Sequence, residues 1–170
     1  LILWGMNPAA STLGGMHGYT DLQMAGLKII VVDPRYSETA AKADLWLPLR
    51  PGSDAALAMA MLHTLIFEGL YDVEFVTKWC DGFEELMGHM ADYSPEWASE
   101  ITWLEPDQIR NAARMYAMNK PGCIQWGCTW DQNGSTSTTA SHALALCRAI
   151  CGNLDVPGGD GMPGPALNFL

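Results

Sequence analysis

The stretch from Lys28 to Asp54, KIIVVDPRYSETAAKADLWLPLRPGSD, decides the fold. Its opening run, Ile29 to Val32, is β-branched and apolar without alternation, as expected of a strand covered on both faces. The run stops at Asp33-Pro34-Arg35. Ser37-Glu38 then starts a short helix ending near Asp44, Leu45 to Leu49 reads as another strand, and Arg50-Pro51-Gly52-Ser53 turns into a further helix at Asp54. Strand, short helix, strand, helix with brief turns is the signature of βαβ units around a parallel sheet.

Reading outward extends the pattern. Toward the amino terminus, Leu1 to Trp4 is a short apolar strand ended by Gly5, and Ser11 to Ala25 reads as a helix capped by Gly26, with Gly14, Gly15 and Gly18 weakening its first turns. Toward the carboxyl terminus, Asp54 to Glu68 is apolar almost all round, with Leu57, Met61 and Leu65 on one stripe and Ala58, Leu62 and Ile66 on the next, so that helix is buried. Tyr71 to Tyr116 reads as a helical insertion, with start signals at Asp72, Ser94-Pro95 and Pro106. Gly122 to Trp126 is a fourth strand, Gly127 to Ser137 a polar loop, and Thr138 to Cys151 a helix stopped by Gly152. The expected architecture is α/β, a doubly wound, mainly parallel sheet of Rossmann-like type with a helical insertion. Residues 1–154 form that domain, and residues 155–170, rich in proline and glycine, read as a linker or docking tail.

Composition narrows the function. The chain has 170 residues, 49% of them hydrophobic, and a net charge of −10. A chain of this length buries about 70% of its unfolded surface, so neither disulfides nor a metal is needed for folding. The acidic residues are spread over both halves and no basic patch points to a nucleic-acid partner. The longest apolar run, Ala55 to Phe67, is interrupted by His63 and is far shorter than the roughly 20 residues that span a bilayer. Five cysteines without a CxxC spacing make neither a disulfide framework nor a standard metal cradle. Cys147 and Cys151 share a helix face and are read as small core residues, as are most of the ten methionines; no metal ligand is assigned.

In a doubly wound sheet, ligands bind beyond the carboxyl ends of the strands, where strand order reverses. After the first strand, Gly5, Asn7 and Ser11 offer a close backbone approach, a turn-tying amide and a hydroxyl at a helix start, which suits a phosphate; an ordinary Asn-Pro turn is the plain alternative. After the second, the Asp33 carboxylate suits ribose hydroxyls and the Arg35 guanidinium a phosphate, against a turn with a local ion pair. After the third, Asp54 either caps its helix or accepts from the Watson–Crick edge of a guanine. After the fourth, Trp126 to Gly134 crowds two tryptophans with amide and carboxylate groups, which suits a flat, heteroatom-rich ligand.

At these residues the sequence resembles the molybdopterin oxidoreductase family, which includes formate dehydrogenases, nitrate reductases and dimethyl sulfoxide reductases. The matching stretches are GMNPAAS (5–11), VVDPRYSETAAKADLWLPLRPGSDAALAMAMLHTLI (31–66), EGLYDVEFV (68–76), IRNAARMYA (109–117), WGCTWDQNG (126–134) and ALCRAICGNLDVPGG (145–159), in the family's order. The resemblance implies a piece of a larger catalytic subunit, inactive by itself, that binds one arm of a molybdenum or tungsten bis-molybdopterin guanine dinucleotide. It implies Gly5, Asn7 and Ser11 beside the pyrophosphate, Asp33, Pro34 and Arg35 around the ribose and its phosphate, and Gly52 and Asp54 at the guanine. Trp126, Gly127, Cys128 and Gln132 would lie toward the pterin, although Thr129 stands where the family usually has a second glycine. It further implies an iron-sulfur cluster and the metal-ligating residue in regions outside these 170 residues, and partners in the subunit's other domains and an iron-sulfur electron-transfer subunit. Family members occur in cytoplasm and periplasm alike, and some, the hydratases, perform no net redox reaction. Two other readings stand beside this one: a stand-alone nucleotide-binding or interaction module without metal chemistry, and a structural layer whose polar loops form a subunit interface.

Overall fold

A computed structural model describes residues 1–12, 14–128 and 135–161. Four short strands, β1 (Ile2–Trp4), β2 (Ile30–Val32), β3 (Leu45–Leu47) and β4 (Ile124–Trp126), form one sheet in the order β3-β2-β1-β4. All pairings are parallel, with Ile2 beside Ile30 and Ile124, and Trp4 beside Val32 and Trp126. The sheet therefore grows outward from β1 to β3 and then jumps back across β1 to add β4. That reversal is the doubly wound topology, and it puts the switch point between β1 and β4.

The eight helices of the described residues divide between the two faces. On one, α3 (Asp54–Phe67) and α8 (Ser137–Ile150) cover Ile2, Trp4, Ile30, Val32, Leu47 and Ile124. Leu57, Met61, Leu62 and Leu65 of α3 have no exposed surface, as its all-round apolar sequence requires. Behind it lies the insertion: α4 (Val73–Trp79), α5 (Phe83–Met90), α6 (Pro95–Thr102) and α7 (Pro106–Met118). The expected start signals are in place. The Asp72 carboxylate accepts from the Phe75 N–H at 2.9 Å, the Ser94 hydroxyl accepts from the Trp97 N–H at 3.2 Å, and Glu105 with Gln108 forms a capping box ahead of Pro106. On the other face, Leu3, Ile29 and Val31 pack with Ala40, Tyr19 and Trp46.

Two expected elements differ. The Ser11 to Ala25 helix is two pieces, α1 (Pro8–Ser11) and α2 (Gly15–Met24), because Gly14 takes a left-handed φ of 71° between them. Ser11 thus ends a helical turn instead of starting one, and its hydroxyl donates to the Asn7 carbonyl at 2.9 Å. The helix expected from Ser37 to Asp44 is a single 3-10 turn, Ala40–Lys42, held by the Ser37 hydroxyl accepting from the Ala40 N–H at 3.2 Å.

Candidate functional site

The carboxyl ends of all four parallel strands lie along one edge of the sheet, so the loops holding Gly5 to Ser11, Asp33 to Arg35, Gly52 to Asp54 and Trp126 to Cys128 emerge together. Gly5 turns the chain with φ 59°, and its N–H donates to the Val32 carbonyl at 2.8 Å. Across the switch point the Gly127 N–H donates to the Trp4 carbonyl at 2.9 Å. A Cβ added at Gly127 would sit 2.2 Å from the Gly5 carbonyl oxygen. The two loops touch backbone to backbone, and only glycine permits it. Among the described residues, the N–H groups of Met6 and Asn7 have no protein acceptor.

The Asn7 side chain ties two loops. Its Nδ2 donates to Glu38 Oε2 at 3.2 Å, and its Oδ1 accepts from the Thr39 hydroxyl at 2.5 Å. Thr39 in turn accepts from the Ala9 N–H at 3.2 Å. The backbone N–H of Glu38, then the Asn7 amide, hold the Glu38 carboxyl below the usual range. Sequence reasoning missed Glu38 and Thr39 as site residues; their place in the loop that follows β2, shortly after Asp33-Pro34-Arg35, was the available signal.

Asp33 accepts from the Arg35 N–H at 2.8 Å, an Asx turn in place of a side-chain ion pair between the two. Among the described residues no carboxylate lies within ion-pair distance of Arg35, which leaves the exposed guanidinium open to an anion. Gly52 takes φ 81° in an exposed turn closed by the Ser53 N–H to the Arg50 carbonyl at 3.1 Å, and a Cβ there would meet nothing within 4 Å. Asp54 does not cap α3. Its Oδ1 accepts from the buried Trp4 indole N–H at 2.7 Å, so the last side chain of β1 aims the carboxylate. Trp126 is 43% exposed at the end of β4 and stacks on the Arg148 guanidinium, 4.4 Å from its ring centre. Cys128 is exposed; Gln132, with Thr129 and Trp130, lies outside the described residues.

The Molybdopterin oxidoreductase family profile matches residues 1–160. The chain belongs to that family. It is 44% identical over 138 residues to acetylene hydratase of Syntrophotalea acetylenica, covering 79% of this chain and 19% of the relative. It is 39% identical to formate dehydrogenase H of Escherichia coli (92% and 22%) and 34% identical to the dimethyl sulfoxide reductase DmsA of the same organism (94% and 22%). Among solved structures, acetylene hydratase from Pelobacter acetylenicus superposes with a TM-score of 0.79 at 40% identity, over 89% of this chain and 21% of that one. The chain spans about a fifth of the length of these relatives. Family membership implies a molybdopterin cofactor with its metal. Among the described residues no helix is long and apolar enough to cross a membrane.

Proposed function

We propose that this chain is the domain of a molybdenum or tungsten enzyme that holds one guanine dinucleotide arm of a bis-molybdopterin cofactor. The observation that carries the proposal is the convergence on one sheet edge of two unpaired backbone N–H groups, an open guanidinium and two aimed carboxylates. That donor and acceptor set fits a nucleotide diphosphate. The Met6 and Asn7 N–H groups beside Gly5 take the pyrophosphate, with Ser11 flanking them; Asp33, Pro34 and Arg35 surround the ribose and its phosphate. Gly52 leaves room for a base, and the Asp54 carboxylate accepts from donors that guanine has and adenine lacks. Trp126, Gly127 and Cys128 face the pterin; Gln132, outside the described residues, is assigned to it by the resemblance alone.

When bound, the metal–pterin group supplies the bond-making chemistry, while the chain supplies orientation and charge. The iron-sulfur cluster and the metal ligand belong to other regions of the parent subunit. The test is metal analysis with nucleotide extraction on the full-length parent. Molybdenum or tungsten with about two guanine nucleotides per chain is expected from the bis-dinucleotide cofactor; a parent with metal but no guanine nucleotide sinks the proposal.

The likeness to acetylene hydratase in both sequence and structure favours a second reading of the reaction, addition of water to an unsaturated substrate without net electron transfer. Acetylene consumption by the purified parent with no electron acceptor present would select it. Activity that appears only with an artificial electron acceptor and a redox substrate would reject it.

A further inference from the structure

We propose that Thr39 is a positioning residue of the phosphate-side loop, bridging the loops after β1 and β2 so that the backbone N–H groups of Met6 and Asn7, and not the Asn7 side chain, meet the anion. The inference rests on the nucleotide reading above and assigns that site an element the resemblance does not supply. Thr39 is 1% exposed, yet its hydroxyl is used twice, donating to Asn7 Oδ1 at 2.5 Å and accepting from the Ala9 N–H at 3.2 Å. The partners are about thirty positions away in sequence, so these bonds fasten two loops that no ladder hydrogen bond joins at that point.

The other end of the Asn7 amide is also engaged, donating to Glu38 Oε2 at 3.2 Å. The Asn7 carbonyl oxygen and one of its two Nδ2 hydrogens are thereby engaged by the protein. What the loop chiefly offers an anion is backbone: the Met6 and Asn7 N–H groups, which have no acceptor among the described residues. Two successive N–H groups after a glycine at positive φ suit a phosphate oxygen. The turn carrying Thr39 is itself held, by the Ser37 hydroxyl on the Ala40 N–H and by the Lys42 N–H on the Thr39 carbonyl at 3.1 Å. A hydroxyl fixed in this way sets the loop before any ligand arrives, and ligand binding then costs less ordering.

The test uses the full-length parent with wild-type, Thr39→Val, Thr39→Ser, Asn7→Ala and Asn7→Ala/Thr39→Val forms. The readouts are metal and guanine nucleotide retained per folded molecule, with hydrogen exchange across residues 5–12. Valine keeps the shape and removes both hydrogen bonds, so retention should fall about tenfold, with faster exchange at Ala9. Serine should restore both readouts. The double variant should lose less than the sum of the two single changes, because both substitutions break the shared Thr39–Asn7 bond.

Thr39→Val at wild-type retention would overturn the proposal, as would a serine variant as impaired as the valine one. Losses that add in the double variant would also overturn it, since they mean that Asn7 meets the ligand directly. Should Thr39→Val not fold, Thr39→Ala against Thr39→Ser decides: serine keeps the hydroxyl and should retain more cofactor than alanine, and equal loss in the two refutes the bridge. A wild-type parent that releases no guanine nucleotide overturns the underlying site reading, and this inference with it.

Discussion

At the scale of single residues, the site is organised by side chains that serve the protein first. Asp54 shows this most clearly. Removing its carboxylate leaves the buried Trp4 indole N–H without that acceptor, so Asp54→Ala should cost about 1–3 kcal/mol in urea unfolding, whereas Asp54→Asn, which keeps an oxygen at that place, should cost less. Equal losses in the two would show that the bond contributes little. Asp72 makes a different prediction. The Phe75 N–H and then the Lys120 ammonium hold its carboxyl below the ordinary value. A carboxyl depressed in the folded state adds stability above the unfolded-state value and gives it up as pH falls through the folded one, here below about pH 4. Asp72→Asn keeps a cap yet cannot titrate, so stability measured from pH 3 to 7 should fall less steeply at the acid end than in wild type.

At the scale of elements, β4 is an edge strand of the described sheet whose outward groups at Ile124 are satisfied by side chains. The Arg148 Nη2 donates to the Ile124 carbonyl at 2.7 Å, and the Ile124 N–H donates to Asp160 Oδ2 at 3.1 Å. Arg148 Nε lies 3.0 Å from Asp160 Oδ2, an ionic contact whose angle falls short of a hydrogen bond. The pair occupies the place a further strand would take, and it brings residues 153–160 back onto the sheet, where the Asp160 N–H donates to the Asn153 carbonyl at 2.9 Å. Removing one partner strands a largely buried charge, so Asp160→Ala should lower stability by about 3 kcal/mol. Arg148→Met/Asp160→Leu should cost less than the sum of the single changes, which a double-mutant cycle by chemical denaturation would measure; additive losses would mean that the pair is not coupled.

At the scale of the whole molecule, the apolar helical layer and the polar strand ends are segregated, and the cysteines report on that division. Cys147 and Cys151 lie in the core between α8 and its neighbours, where burial pushes the Cys151 thiol up to about 12 and the Cys147 thiol well above its ordinary value, while Cys128 is exposed beside the candidate site. A thiol reagent followed by mass spectrometry should mark Cys128 early and the two core cysteines only after denaturant is added. Early labelling of Cys147 would contradict the packing of α8 on α3. Much of this architecture follows from local chemistry that sequence carries openly. The unbroken apolar run of β2, the all-round apolar α3 and the helix-start residues Asp72, Ser94 and Pro106 are legible because each answers to its own neighbours in the chain. The split of the first helix at Gly14 was visible as a weakness but not as a break, since glycine spacing does not say which residue takes positive φ. Asp33, Arg35 and Asp54 could be named as polar groups at strand ends, but not where they point. Trp4 aiming Asp54, Thr39 bridging to Asn7 and Gly127 against Gly5 join residues 32 to 122 positions apart, and such contacts exist only once the strands have taken the order β3-β2-β1-β4. Sequence determined the elements and the family of this protein, because propensity, patterning and motif act over short spans; tertiary structure decided the site's geometry, because a hydrogen bond or a backbone contact depends on distance in space.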